Sequence, residues 1–245
     1  MVHLPLPQHP YFSSPFGGQV GFAFDQALRE REGLLPQELP YLSQAASHKR
    51  VAEFTLGRVL ARRALQGLVG DAALSWPILR QAKGRGPSWP AGYVGAITHS
   101  MGWGAAAVAS QTQYRSLGLD LELIHPPSLA LVNRILTPEE KRWLAAQRVT
   151  DVALILVFSA KESLYKALNP LGAVNLGFLT AEVDFGPEWK RPGPEIWGSF
   201  GWRLTRFAGE GFPEGFSGQG VYAVSQGFVL TGVLLEQSPL QAKHI

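Results

Sequence analysis

The sequence predicts an α+β protein of short strands and two long helices, and three observations carry that prediction. Leu117-Gly118-Leu119-Asp120-Leu121-Glu122-Leu123 alternates leucine with glycine and acid, the period of a half-buried strand. Two stretches, from about Ser43 to Val69 and from about Thr150 to Leu168, carry apolar residues at helical spacing. Val221 to Ser225 and Phe228 to Leu235, joined at Gln226-Gly227, have the pattern of a terminal hairpin.

The elements follow in order. Residues 1 to 18 are rich in Pro, Ser and Gly, with Tyr11, Phe12 and Phe16, and are expected to form an irregular lead-in packed on the body. Val20, Phe22 and Phe24 alternate with Gly21 and Ala23 as a first strand, after which Gly33, Pro36 and Pro40 break the chain. In the first long helix Ala46, Val51, Phe54, Leu60, Leu65 and Leu68 supply the apolar positions, and Gly70-Asp71 the stop. Tyr93 opens a short strand, and Trp103 to Ser110 is small and apolar enough for a closely packed, buried one. A turn through Gln111-Thr112-Gln113 leads into the alternating strand, which His125-Pro126-Pro127 ends because two prolines cannot sit in a central ladder. A domain junction is expected near Tyr114 to Leu117, dividing the chain into residues 1–115 and 116–245.

Thr137-Pro138-Glu139-Glu140 has the form of a helix start, with threonine as cap, proline in the first turn and Glu140 completing a capping box. In the second long helix Val152 and Leu154 to Val157 leave little polar surface, so it should be the buried centre of its half, stopped by Asn169-Pro170-Leu171-Gly172. Leu179, Ala181, Val183 and Phe185, and then Phe200, Trp202 and Leu204, alternate with polar or small residues as two further strands. No residue-level repeat between the halves is visible.

Composition narrows the function classes. At 245 residues and 46% hydrophobic content the chain is a globular protein with room for a proper core. The absence of cysteine excludes disulfides, thiolate catalysis and cysteine-based zinc sites. No apolar run reaches membrane-spanning length, and Met-Val-His-Leu-Pro-Leu-Pro lacks the layout of a secretory signal, so a cytoplasmic location is expected. A net charge of +3 does not mark a nucleic-acid binder, but it is unevenly spread. Residues 1–115 hold 11 Lys and Arg against 6 Asp and Glu, whereas residues 116–245 hold 11 against 13. A ligand with several phosphates would suit both halves, meeting cations in the first and a metal in the second.

Two stretches carry the chemistry. On a strand, Asp120 and Glu122 project together from the face opposite the leucines, two like charges that repel unless a cation lies between them. Oxygen ligands without neighbouring cysteine or histidine favour Mg²⁺ or Mn²⁺ over zinc. Forty residues on, Phe158-Ser-Ala-Lys-Glu-Ser-Leu-Tyr-Lys-Ala-Leu168 keeps a carboxylate and two ammonium groups together. Glu162 and Lys166 share a helix face with Phe158, and Lys161 is rotated to the flank. The bland alternative is a surface ion pair at the favoured spacing. In the first long helix Arg58 and Arg62 sit one turn apart with Arg63 beside them, either a solvated face or a phosphate-binding one. Lys83-Gly84-Arg85-Gly86-Pro87 is either a plain turn or a loop that brings two cations to a phosphate.

Gly-Leu-Asp-Leu-Glu followed by Phe-Ser-Ala-Lys-Glu-Ser-Leu-Tyr-Lys resembles the paired signature of the 4'-phosphopantetheinyl transferases, in the two-domain monomeric group of the enterobactin synthetase component D type. Arg50-Val-Ala-Glu-Phe with Gly57-Arg-Val-Leu-Ala-Arg-Arg-Ala-Leu is similar to that group's N-terminal motif, and Gly95-Ala-Ile-Thr-His-Ser100 to its Ser-x-Ser-His-Ser stretch, with Ala96 and Thr98 in place of the two serines. The resemblance implies two pseudo-symmetric α/β subdomains, each a small antiparallel-rich sheet on a long helix. It implies transfer of the 4'-phosphopantetheine arm of coenzyme A to a serine of an acidic apo acyl or peptidyl carrier protein, with Mg²⁺, releasing 3',5'-ADP. Asp120, Glu122 and Glu162 are then the expected metal set, with Glu162 as third ligand or as base, and Asp120, Glu162 and Lys166 the catalytic group. Arg50, Arg58, Arg62, Lys83, Arg85, Thr98, His99 and Lys161 are the expected coenzyme A contacts. A different metal-dependent nucleotide phosphotransferase or hydrolase, and a non-catalytic nucleotide-binding protein, are the other classes these residues allow.

Overall fold

Ser47 sets where the first long helix begins: its side chain accepts from the Arg50 amide, so the helix starts at His48, a few residues inside the expected boundary. The computed structural model describes residues 12–26, 33–43, 46–82, 86–126, 128–173, 176–186 and 195–237. The strands and helices are β1 Val20–Gln26, α1 His48–Val69, β2 Leu79–Arg80, β3 Pro87–Ser88, β4 Tyr93–Ser100, β5 Trp103–Ser110, β6 Tyr114–Leu123, α2 Leu129–Ile135, α3 Pro138–Ala145, α4 Thr150–Leu168, β7 Ala181–Asp184, β8 Glu195–Leu204, β9 Ser217–Ser225 and β10 Phe228–Glu236.

The strands form two principal antiparallel sheets, β1-β5-β4 and β6-β10-β9-β8-β7, beside a small β2-β3 pair. Leu56, Leu60, Ala61, Ala64 and Leu65 of α1 pack on one face of the first sheet, against Ala106 and Val108. The opposite face of that sheet, through Ala105, Ala107 and Ala109, meets Leu117, Leu119 and Leu121 of β6 and Leu230 of β10. The far face of the larger sheet takes α4 through Val152 to Val157, Ala160 and Leu164. The result is a helix–sheet–sheet–helix sandwich, the α+β architecture expected from the sequence. Period two in β6 buries its leucines between the sheets and turns Gly118 and Asp120 toward α4.

At two points a strand presses directly on a helix backbone. A Cβ at Gly118 would overlap the Ser163 carbonyl oxygen and lie 2.7 Å from the Ala167 amide nitrogen. A Cβ at Gly21 would likewise overlap the Ala64 carbonyl oxygen and lie 3.0 Å from the Leu68 side chain. Near the second contact Arg63 of α1 pairs with Asp25 of β1 at 2.7 Å, half exposed.

The expected cap at Thr137 is present in full: its hydroxyl accepts from the Glu140 amide at 3.3 Å while Glu140 accepts from the Thr137 amide at 2.8 Å. The strand expected over Leu179 to Phe185 is shorter, because Phe178–Thr180 form a 3-10 turn first. The helix Leu129–Ile135 has no counterpart in the sequence reading; it is one short amphipathic segment capped by Ser128. No described helix is long and apolar enough to cross a membrane.

Candidate active site

The open edges of the two sheets, β4 and β6, meet, and the predicted acidic strand lies at that seam. Thr98 on β4 accepts a hydrogen bond from the Leu121 amide of β6 at 3.0 Å, tying the edges together. Lys166, in the last turn of α4, reaches across to Asp120 Oδ1 at 2.7 Å, to the Leu119 carbonyl at 3.1 Å and to Thr98 Oγ1 at 3.4 Å. The helix C-terminus that carries Lys166 favours a cation there. Its side chain is 34% exposed, whereas Asp120 is almost fully buried. This is one ammonium with one face on the protein and one on solvent.

The acids around it are not balanced by Lys166 alone. Asp120 Oδ2 is buried and has no hydrogen-bond partner. Burial and the Asp120 charge push the Glu122 carboxyl up to about 7, with Lys166 and a hydrogen bond from Ser100 pulling the other way. Burial first, and Asp120 second, also raise the Glu162 carboxyl. Three carboxylates thus crowd one ammonium, and a buried acceptor is left over, which fits a hard cation. Among the described residues no three His, Asp or Glu side chains stand close enough together to hold a metal ion as they are placed. Asp120 and Glu122 are the carboxylates that could hold such an ion, with Glu162 beside them.

The raised Glu122 pKa has a measurable consequence. The folded chain keeps this proton up to about pH 7, whereas the ordinary carboxyl loses it near 4.5, so folding binds a proton in between. The contribution to stability is present below the lower value and lost as pH rises toward the upper one. A divalent cation that displaces the proton reverses the trend. Added Mg²⁺ should therefore raise the melting temperature clearly at about pH 8 and little at about pH 5.5. An equal rise at both pH values would remove Glu122 from the metal set.

The basic first half meets the seam from the other side. His99 on β4 lies 3.7 Å from Glu53 of α1, and burial lowers its pKa, with Lys166 and Arg50 adding to the fall against the pull of Glu53. Arg58 is buried over the Phe54 ring at 4.1 Å and donates to the Ile78 and Leu79 carbonyls at 3.0 and 3.5 Å. Desolvation brings its pKa down to about 10, opposed by Glu38 and reinforced by Arg50 and Arg80. Arg50 lies at the exposed start of α1. Arg80 belongs to no sequence motif, whereas Glu53 has a signal, its spacing of four from Lys49, with which it pairs at 3.8 Å.

Two expected coenzyme A contacts are placed elsewhere. Lys161 is fully buried, with its ammonium on Glu140, Ile135 and Phe178, because its position on α4 faces α3 rather than the flank. Arg62 is buried against Glu38 and the Gly33 carbonyl, since it points from α1 beneath the preceding loop. Lys83 and Arg85 lie outside the described residues. Two open clefts, of about 510 and 610 Å³, lie along β7, β8 and α3 and include none of the seam residues.

Known proteins match the chain over most of its length. A family model described as the 4'-phosphopantetheinyl transferase N-terminal domain matches residues 37–109, and one described as the 4'-phosphopantetheinyl transferase superfamily matches residues 116–196. The chain is 37% identical over 210 residues to the 4'-phosphopantetheinyl transferase Svp of Streptomyces mobaraensis, covering 82% of this chain and 78% of that protein. It is 34% identical over 212 residues to the 4'-phosphopantetheinyl transferase PptT of Mycobacterium tuberculosis, covering 82% and 86%. With the enterobactin synthase component D of Escherichia coli K12 it shares 36% over 178 residues, 70% of this chain and 80% of that one.

Proposed function

Because the chain belongs to the 4'-phosphopantetheinyl transferase superfamily, we propose that it moves the 4'-phosphopantetheine arm of coenzyme A onto a serine of an acidic apo acyl or peptidyl carrier protein, in a Mg²⁺-dependent reaction that releases 3',5'-ADP. The observation that carries this reading is the seam itself. Lys166 and Glu162 of α4 and the carboxylates Asp120 and Glu122 of β6 gather where that edge meets β4, which bears Thr98 and His99, near the cationic start of α1. Bound Mg²⁺ would neutralise pyrophosphate charge, the chief requirement of phosphoryl transfer.

The protein's own groups supply the rest. Arg50 and Arg58, with Arg80 nearby, give a positive region for the coenzyme's phosphates, and His99, its pKa lowered, can offer a ring N–H to them. Arginine suits this role because its planar fork makes bidentate contacts to phosphate. Lys166 keeps a solvent-facing side, so it can meet negative charge that grows on the leaving phosphate. Glu162, with its raised pKa, is suited to accept the serine proton. Residues 1–115 and 116–245 are taken as the two subdomains, with the coenzyme at their junction and the chain acting as a monomer in the cytoplasm.

The test is the intact mass of an apo carrier protein incubated with this protein, coenzyme A and Mg²⁺, beside a control with EDTA. A gain of one phosphopantetheine that EDTA abolishes is the expected result. Coenzyme A binding without modification of several different apo carriers would overturn the reading in favour of a nucleotide-binding protein.

A further inference from the structure

The buried pair Lys161–Glu140 sits directly behind the proposed catalytic face of α4. Lys161 donates to Glu140 Oε2 at 2.7 Å, to the Ile135 carbonyl at 2.8 Å and to the Phe178 carbonyl at 2.6 Å. An ammonium has three protons, so every donor is used inside the protein. Glu140 is as fully engaged: Oε2 also accepts from the Thr137 amide at 2.8 Å, and Oε1 accepts from the Val183 amide at 2.9 Å. The pair therefore ties α4 to the end of α2, the start of α3, the 3-10 turn before β7, and β7 itself.

The first half repeats this arrangement in detail. Glu38 accepts from the amide three residues earlier, Leu35, as Glu140 does from Thr137. It accepts from an amide at the next extended segment, Ile78, as Glu140 does from Val183. Its cation, Arg62, comes from the long helix and also donates to a carbonyl just upstream of the acid, Gly33, as Lys161 does to Ile135. The backbone contacts of Gly21 on Ala64 and Gly118 on Ser163 follow two residues after each cation. Arg62 and Lys161 thus hold equivalent places, each fixing a long helix in rotation and height against its sheet.

We infer that Lys161 is a positioning residue and not a phosphate contact: with Glu140 it locks α4 so that the next residue, Glu162, and Lys166 one turn on stand opposite Asp120. The inference rests on the proposed transferase reading for its activity readout. A misplacement of about 1 Å in a reacting group costs roughly a hundredfold in rate. Loosening this lock should therefore appear in turnover and not in coenzyme A binding.

The informative variants are Lys161→Met combined with Glu140→Gln, which strands no buried charge, and Glu140→Gln alone, which keeps the lysine. Breaking only one side of a buried pair is the costly change, so the double variant protects the fold. Both should lower kcat by roughly tenfold to a hundredfold, while the KM and the calorimetric Kd for coenzyme A stay within about twofold. A tenfold weaker Kd in the double variant with Glu140→Gln unaffected would make Lys161 a ligand contact and overturn the inference. Unchanged kcat in both variants would overturn it too. The wild-type protein in the same assay tests the transferase reading separately: if it modifies no carrier, that reading fails, and the calorimetric Kd still decides whether Lys161 touches the coenzyme.

Discussion

Asp120→Asn is expected to slow carrier modification on the order of a thousandfold while the protein stays folded. The substitution is nearly isosteric, so packing in the strand is preserved. What changes is charge at the centre of the site. Asp120 Oδ1 anchors Lys166, and its buried Oδ2 has no protein partner, leaving it for a ligand. An amide oxygen carries no charge and so holds a hard cation far less strongly than a carboxylate. Lys166 is not stranded by the change, because it is a third exposed and keeps the Leu119 carbonyl. Since Asp120 raises the pKa of both Glu122 and Glu162, the residual activity should also show its acid limb at lower pH. Rates by carrier mass across pH, with a melting curve to certify the fold, would decide it. Activity within tenfold of the parent would remove the acidic strand from the chemistry.

The second large effect concerns stability. Gly118→Ala should destabilise the chain by about 3 kcal/mol or more, lowering the melting temperature by roughly 6 to 12 °C. The added methyl would meet backbone, the Ser163 carbonyl and the Ala167 amide, and neither can rotate aside as a side chain would. Relief requires α4 to lift off β6, and that motion would also withdraw Lys166 from Asp120. Loss of activity should therefore exceed what the unfolded fraction explains. A melting temperature within 2 °C of the parent, about the effect of a mild surface change, would show that the helix has room to move.

Much of this was legible in the sequence where one physical rule dominates. Strict alternation placed β6 and faced its acids away from its leucines; the capping box placed the start of α3. The terminal hairpin extends back to Ser217, beyond its expected start, because Ser-Gly-Gln-Gly pairs through backbone alone and leaves no hydrophobic period to detect. Lys161 and Lys166 illustrate the limit most clearly. Both are lysines beside Glu162, and helical spacing fixes their relative directions but not which neighbour fills each direction. Only the packing of α3 and the turn before β7 turns Lys161 into a buried anchor. Arg62 was misplaced for the same reason, since a basic run looks alike whether it faces solvent or an internal acid. Glu38, its partner, gave no sign at a distance of 24 residues.

The exposed Asp25–Arg63 contact takes on meaning from the shared register of the halves. Counting from Gly21 and Gly118, Asp25 corresponds to Glu122, Ala23 to Asp120, and Arg63, following Arg62, to Glu162. The two halves thus fill matching places with different chemistry. The first half closes its strand–helix corner with a guanidinium of its own. The other half has acids at all three places, and Lys166 pairs directly with only one of them, so its corner is left open to the cation that the proposed reaction needs.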